Sequence, residues 1–202
     1  MTRIRPPARE DLPAHAGLFG IYEEVMGLVP ETLRSMTLVP GLLDGYVGLA
    51  HAAAMNGLIS EELAQMAGHL ASAGAGCRYC QAHTAAHAAH LGVDEAKLAE
   101  LWSFETSDRF DDAERAALRL ALRSGQHPNA VTDADITACR EHFSDDQITA
   151  IVAVCSLFGF LNRWNDTMAT TLEDVPRHIA ARVLVGQGWT IGRHAATSEV
   201  SP

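Results

Sequence analysis

The feature that most constrains this 202-residue chain is the junction Gly74-Ala75-Gly76-Cys77-Arg78-Tyr79-Cys80, which separates two stretches of helical patterning. Closely spaced glycines end helices because they enter the left-handed backbone region without a Cβ penalty. The stretch before the break begins with Ser60 as an N-cap and Glu61 and Glu62 in the first turn, where the helix dipole favours negative charge. It runs to about Ala73. The stretch after the break starts at the cysteine pair and continues to His90 or Leu91, before Gly92. Together they predict a helical hairpin with two thiols at its turn.

The rest of the chain carries the same punctuation. Short helices are predicted over Gly17 to Met26 and Glu31 to Met36, and Pro40-Gly41 opens a longer one from Leu42 to Met55. Asp94 caps a helix to about Trp102, and further helices are expected over Asp111 to Arg123, Thr132 to His142, Ser144 to Thr171 and about Glu173 to Leu184. No stretch alternates as a strand does. The alanine-rich, 48% hydrophobic composition suits helices packed through small side chains. The expected fold is therefore an all-α bundle in a single domain. Its redox core falls at about 42–105, its C-terminal helices at about 111–184, and a loosely held tail begins at about Arg193. The apolar run from Ile151 to Leu161 is too short for a bilayer span and reads as a core helix.

A formal net charge of −10 argues against a nucleic-acid partner, which needs a basic surface, and disfavours anionic membranes. The first twelve residues carry Arg3, Arg5 and Arg9 but no apolar run, so no secretory signal is read there and a cytoplasmic location is expected. In a reducing compartment four cysteines do not make a disulfide scaffold, and a close pair serves redox or metal chemistry.

A thiol at a helix N-terminus faces unpaired N–H groups and the positive end of the dipole, which lower its pKa and raise the thiolate fraction. By that argument Cys77 is the more acidic of the two. Cys80, His83, His87 and His90 share one helical face, and the first two histidines are candidates for a proton relay because imidazole titrates near neutrality. His90 reads instead as a surface or core-satisfied residue. In the preceding helix Glu62, Gln65, His69 and Ser72 form a polar stripe that the hairpin can fold against the thiols, although such stripes are more often solvated faces. Zinc held by Cys77, Cys80, His83 and His87 is a competing reading. It is weakened because residues 80 and 87 lie about 10 Å apart along a helix axis. Two buried structural cysteines are the bland alternative. Cys139 and Cys155 sit among apolar neighbours and are excluded from the chemistry.

These residues resemble the core of alkylhydroperoxidase D-like proteins in the carboxymuconolactone decarboxylase family, whose signature is a glutamate, eleven residues, Cys-x-x-Cys, three residues and a histidine. The match is clearest from about Ser60 to Leu101, and Phe158-Gly159-Phe160-Leu161-Asn162-Arg163-Trp164-Asn165-Asp166 is similar to the family's Asn-Arg-containing helix. The resemblance implies an all-α fold, a dimer, trimer or hexamer, and hydroperoxide reduction without a bound cofactor. It further implies that Cys80 attacks the peroxide and that Cys77 condenses with the resulting sulfenic acid. An external dithiol or a peroxiredoxin-type protein would then reduce the disulfide. Two signature positions depart: the glutamate falls on Gln65 and the histidine on Thr84. A displaced relay through His83, His87, Glu62 or His69 would compensate. Alternatives are a decarboxylase-like lyase acting on a lactone acid, and a non-catalytic zinc-binding or redox-sensing oligomer.

Overall fold

The structure, a computed structural model, describes residues 2–196. Among the described residues there are ten α-helices, a few 3-10 turns and no strand. The helices are α1 (Ala16–Met26), α2 (Glu31–Met36), α3 (Leu42–Ala54), α4 (Glu61–Ala75) and α5 (Arg78–His90), followed by α6 (Glu95–Ala99), α7 (Asp112–Gly125), α8 (Asp133–Arg140), α9 (Asp145–Met168) and α10 (Asp174–Val183). The all-α expectation holds. Two boundaries differ by three residues from those read in the sequence. The helix capped by Asp94 stops at Ala99 and continues only as a 3-10 turn over Leu101–Ser103. The helix expected to reach Thr171 ends at Met168, because Ala169 turns left-handed at φ 49°.

Capping explains why the helices start where they do. Ser60 accepts a hydrogen bond from the Leu63 amide at the head of α4, and Asp111 and Glu114 form a reciprocal capping box at the head of α7. Packing explains their order. α4 lies at the centre, with Leu63, Ala64 and every residue from Met66 to Ser72 buried, and it packs most extensively on α7, α5 and α9. α9 is long and apolar enough, by length and composition, to cross a bilayer. It is instead packed on α3, α4, α5 and α7, with Asn162 and Asn165 on its inner side.

The polar stripe expected on α4 is split by this central position. Glu62 is exposed and Gln65 half-buried, whereas His69 and Ser72 are buried, Ser72 donating to the Gly68 carbonyl at 2.7 Å. A helix surrounded on most sides has no single solvated face for such a stripe to occupy.

After α10 the chain returns across the start of α5. Trp189, itself buried, donates its indole N–H to the Arg78 carbonyl at 3.1 Å, and the Leu172 amide donates to the His194 carbonyl at 2.9 Å. The expected loose tail from Arg193 is thus corrected for its described part, since His194 is only 1% exposed; residues 197–202 lie outside the described residues.

Close approach of α4 and α7 depends on glycine. A Cβ at Gly125 would collide with the Ala71 backbone, and one at Gly74 with the Leu122 carbonyl. Neither neighbour can rotate away, as a side chain could. Gly125→Ala is expected to destabilise the fold by about 1–3 kcal/mol through overpacking. Gly159→Ala, with no atom within 4 Å of the added Cβ, should be neutral or stabilising through helix propensity. Denaturant midpoints of the two variants check the pair.

Candidate active site

The cysteine turn is built by local rules. Gly76 is left-handed at φ 79° and closes α4, with its own amide bonded to Ala73 and the Cys77 amide bonded to the Ser72 carbonyl at 3.0 Å. Cys77 is then the N-cap of α5 and Cys80 lies one turn inside it. Both thiols are buried and free.

The surroundings of the two sulfurs differ. The Cys77 sulfur, a carboxylate oxygen of Asp166 and a ring nitrogen of His194 all lie within 4.8 Å of one another. His194 is oriented at both ends: Nδ1 donates to the Thr170 carbonyl at 2.7 Å, and Nε2 lies 3.1 Å from Asp166 Oδ1. The left-handed Ala169 makes the turn after α9 that presents Thr170, at a backbone cost of about 1–2 kcal/mol for a non-glycine residue. Cys80 meets Asn165 instead, whose Nδ2 is 3.6 Å from its sulfur while Oδ1 accepts from Thr32 at 2.5 Å.

These contacts separate the two thiols electrostatically. A hydrogen bond from Cys80 lowers the Cys77 pKa to about 7; burial opposes this and His194 assists it. Burial pushes Cys80 well above the ordinary thiol range, and the adjacent Cys77 pushes it the same way. His194 is pushed down by burial, but its bonds to Asp166 and Cys77 outweigh that and raise it to about 9. Near neutrality Cys77 is therefore in the range where thiol and thiolate are both well populated, beside a His194 that favours its protonated form.

The sequence-predicted relay residues are distributed elsewhere. His83 Nε2 lies 2.7 Å from Glu173 Oε2, and Tyr79 donates to the other oxygen of the same carboxylate at 3.0 Å. Burial raises the Glu173 pKa, but His83 and nearby backbone N–H groups hold it below the usual range. The Tyr79 ring stands between, with centroids 4.4 Å from His83 and 5.6 Å from His194. His83, His87 and His90 line a cavity of about 260 Å³ shared with Val175 and Arg182. His69 is buried, with Nδ1 3.1 Å from both the Gln81 carbonyl and Thr84 Oγ1, and burial lowers its pKa to about 4. It is a neutral strut between α4 and α5. Glu62 is exposed and is not among the clustered donors, and Gln65 is half-buried. The four-ligand zinc arrangement of Cys77, Cys80, His83 and His87 is not assembled; among the described residues the clustered donors are Cys77, Asp166 and His194. Cys139 and Cys155 are buried, and burial raises the pKa of both.

Sequence reasoning missed His194 and Asp166. Asp166 lay inside the quoted Asn-Arg segment without a role. For His194 the available signal was Trp189 and Ile191 just before it, apolar residues unexpected in a free tail.

If Cys77 and His194 pair as thiolate and imidazolium, the 240-nm thiolate absorbance assigned by Cys77→Ser should rise through a pH of about 7. In Asp166→Asn the imidazolium loses its partner, so the same transition should move upward toward the ordinary thiol value of about 8.5.

Residues 40–123 match the profile of the carboxymuconolactone decarboxylase family. No curated protein matches the chain. Among solved structures, the debrominase Bmp8, in a cysteine-to-alanine variant bound to 2,3,4-tribromopyrrole, is 28% identical with a TM-score of 0.85, over 91% of this chain and 98% of that one. A peroxidase-related protein with the alkylhydroperoxidase AhpD core, from Ralstonia eutropha JMP134, is 23% identical with a TM-score of 0.75, over 92% and 96% of the two chains. Another peroxidase-related protein, from Silicibacter sp. TM1040, is 22% identical with a TM-score of 0.71, over 83% and 90%. Residues 40–123, which hold the cysteine hairpin, thus carry the profile of the carboxymuconolactone decarboxylase family, and the chain shares the alkylhydroperoxidase D-like fold along most of its length.

Proposed function

We propose that the protein is a dithiol oxidoreductase that delivers two electrons from Cys77 and Cys80 to a small electrophile, with hydroperoxides as the first substrate class. The observation that carries this reading is the Cys77–His194–Asp166 cluster, which supplies a thiolate and a protonated imidazole together. The assignment reverses the order that the family resemblance implied. Cys77 is the nucleophile, and Cys80, kept protonated by burial, is the resolving thiol.

The electron count closes. The Cys77 thiolate attacks the terminal peroxide oxygen and the O–O bond breaks. His194 gives its proton to the leaving alkoxide, leaving a sulfenic acid on Cys77. The Cys80 sulfur then displaces water to form the Cys77–Cys80 disulfide, and an external dithiol or a peroxiredoxin-type protein restores both thiols. Burial of Cys77 suits a small substrate and slows oxidation by bulky ones. A cytoplasmic setting, which keeps the pair reduced, and a homo-oligomeric assembly belong to the same proposal.

The likeness to the debrominase favours a second reading on the same residues. A brominated heteroaromatic and two thiols yield C–H, bromide, a proton and the same disulfide. The alternative of a lactone-acid lyase finds less support, because it makes no use of the dithiol.

One equivalent of hydroperoxide should remove two hydrogens from the wild-type mass as a Cys77–Cys80 disulfide. Cys80→Ser should trap a sulfenic acid on Cys77, and Cys77→Ser should remain unmodified. If Cys77→Ser traps the sulfenic acid on Cys80 instead, the assigned order is wrong. Bromide release from a bromopyrrole without peroxide turnover would replace the first reading by the second.

A further inference from the structure

We infer that the reduced protein binds one zinc-class divalent cation at Cys77, Asp166 and His194, and that this site is inhibitory. A sulfur, a carboxylate oxygen and an imidazole nitrogen are a donor set suited to Zn2+. They come from three separate elements, the N-cap of α5, the end of α9 and the returning C-terminal strap, and their ligand atoms already lie within 4.8 Å of one another. Donors around a tetrahedral zinc stand roughly 3.3–3.8 Å apart, given metal–ligand bonds of about 2.0–2.3 Å. Small side-chain rotations therefore close the site.

A second observation points the same way. His194 Nδ1 donates to the Thr170 carbonyl at 2.7 Å, which leaves Nε2 facing Asp166. A backbone carbonyl on the far nitrogen is the outer-shell arrangement that fixes the tautomer and aim of metal-bound histidines. Charge also balances. A thiolate, a carboxylate and a neutral imidazole around Zn2+ sum to zero, which suits an interior where uncompensated charge is costly. Three protein donors leave a fourth position for water, so the site is of the open type. The histidines at 83, 87 and 90 take no part in it.

The inhibitory consequence rests on the redox reading above. The metal would occupy both the attacking sulfur and the proton-donating nitrogen, so the loaded protein could not turn over. Disulfide formation would take the sulfur away and release the ion.

The test is an anaerobic titration of the reduced protein with ZnCl2 against a chromogenic chelator, with Co2+ in parallel. One Zn2+ per chain is expected in the dithiol form and none in the disulfide form. Asp166→Asn and His194→Asn should each weaken binding about tenfold or more. Co2+ should give a thiolate charge-transfer band that Cys77→Ser abolishes. His87→Ala and His90→Ala should bind zinc as wild type does. The inference is overturned if the reduced protein binds no zinc, or if Cys77→Ser binds it as tightly as wild type. Protein that reduces peroxide but takes up no zinc defeats this inference alone, whereas zinc bound at these donors without any thiol cycling defeats the redox reading and the inhibitory role with it, and leaves the metal site standing.

Discussion

The fold depends on the burial of α4 among α5, α7 and α9. A helix enclosed this way must present small residues where backbones cross, and Gly68, Gly74 and Ala71 do so, Gly68 against the ring of Phe158. Its last residues, Ala73 to Ala75, are half-buried and Gly76 is exposed, so the helix ends at the rim of the bundle. The turn at Gly76 then sends the chain back inward, and Cys77 and Cys80 are both buried.

An interior thiol is ordinarily less acidic than an exposed one, because burial disfavours the charged form. Cys80 obeys that rule and Cys77 does not. The difference lies in partners, since Cys77 has Cys80, a helix N-terminus and His194, while Cys80 faces the Asn165 amide. Asp166 keeps His194 charged, so the carboxylate acts on the sulfur through the imidazole even though its direct effect on the thiolate is repulsive. One helical turn thus separates the more acidic thiol from the less acidic one.

Much of this was legible in the sequence because it is local. Ser60, Asp94, Asp111 and Ser144 mark helix starts within a residue of where the chain places them, and the cysteine turn is written in consecutive residues. The shared face of His83 and His87 was also read correctly as periodicity. Which neighbour that face meets is a tertiary matter, and α10 brings Glu173 there, while the thiols meet α9 and the C-terminal strap. His194 was illegible for the same reason. It is joined to Cys77 across most of the chain's length, and a lone histidine near a C-terminus carries no local pattern. At the signature positions, Gln65 is half-buried and Thr84 bonds the Cys80 and Gln81 carbonyls, while the imidazole nearest Cys77 comes from the strap.

The strap held by Trp189 gives the site a temporal order during synthesis. The thiols leave the ribosome in the middle of translation, but His194 follows every helix of the bundle. Until the strap docks, Cys77 has Cys80 beside it but lacks the imidazole that assists its ionisation. The final acidity of that thiol is therefore set only when the strap is in place.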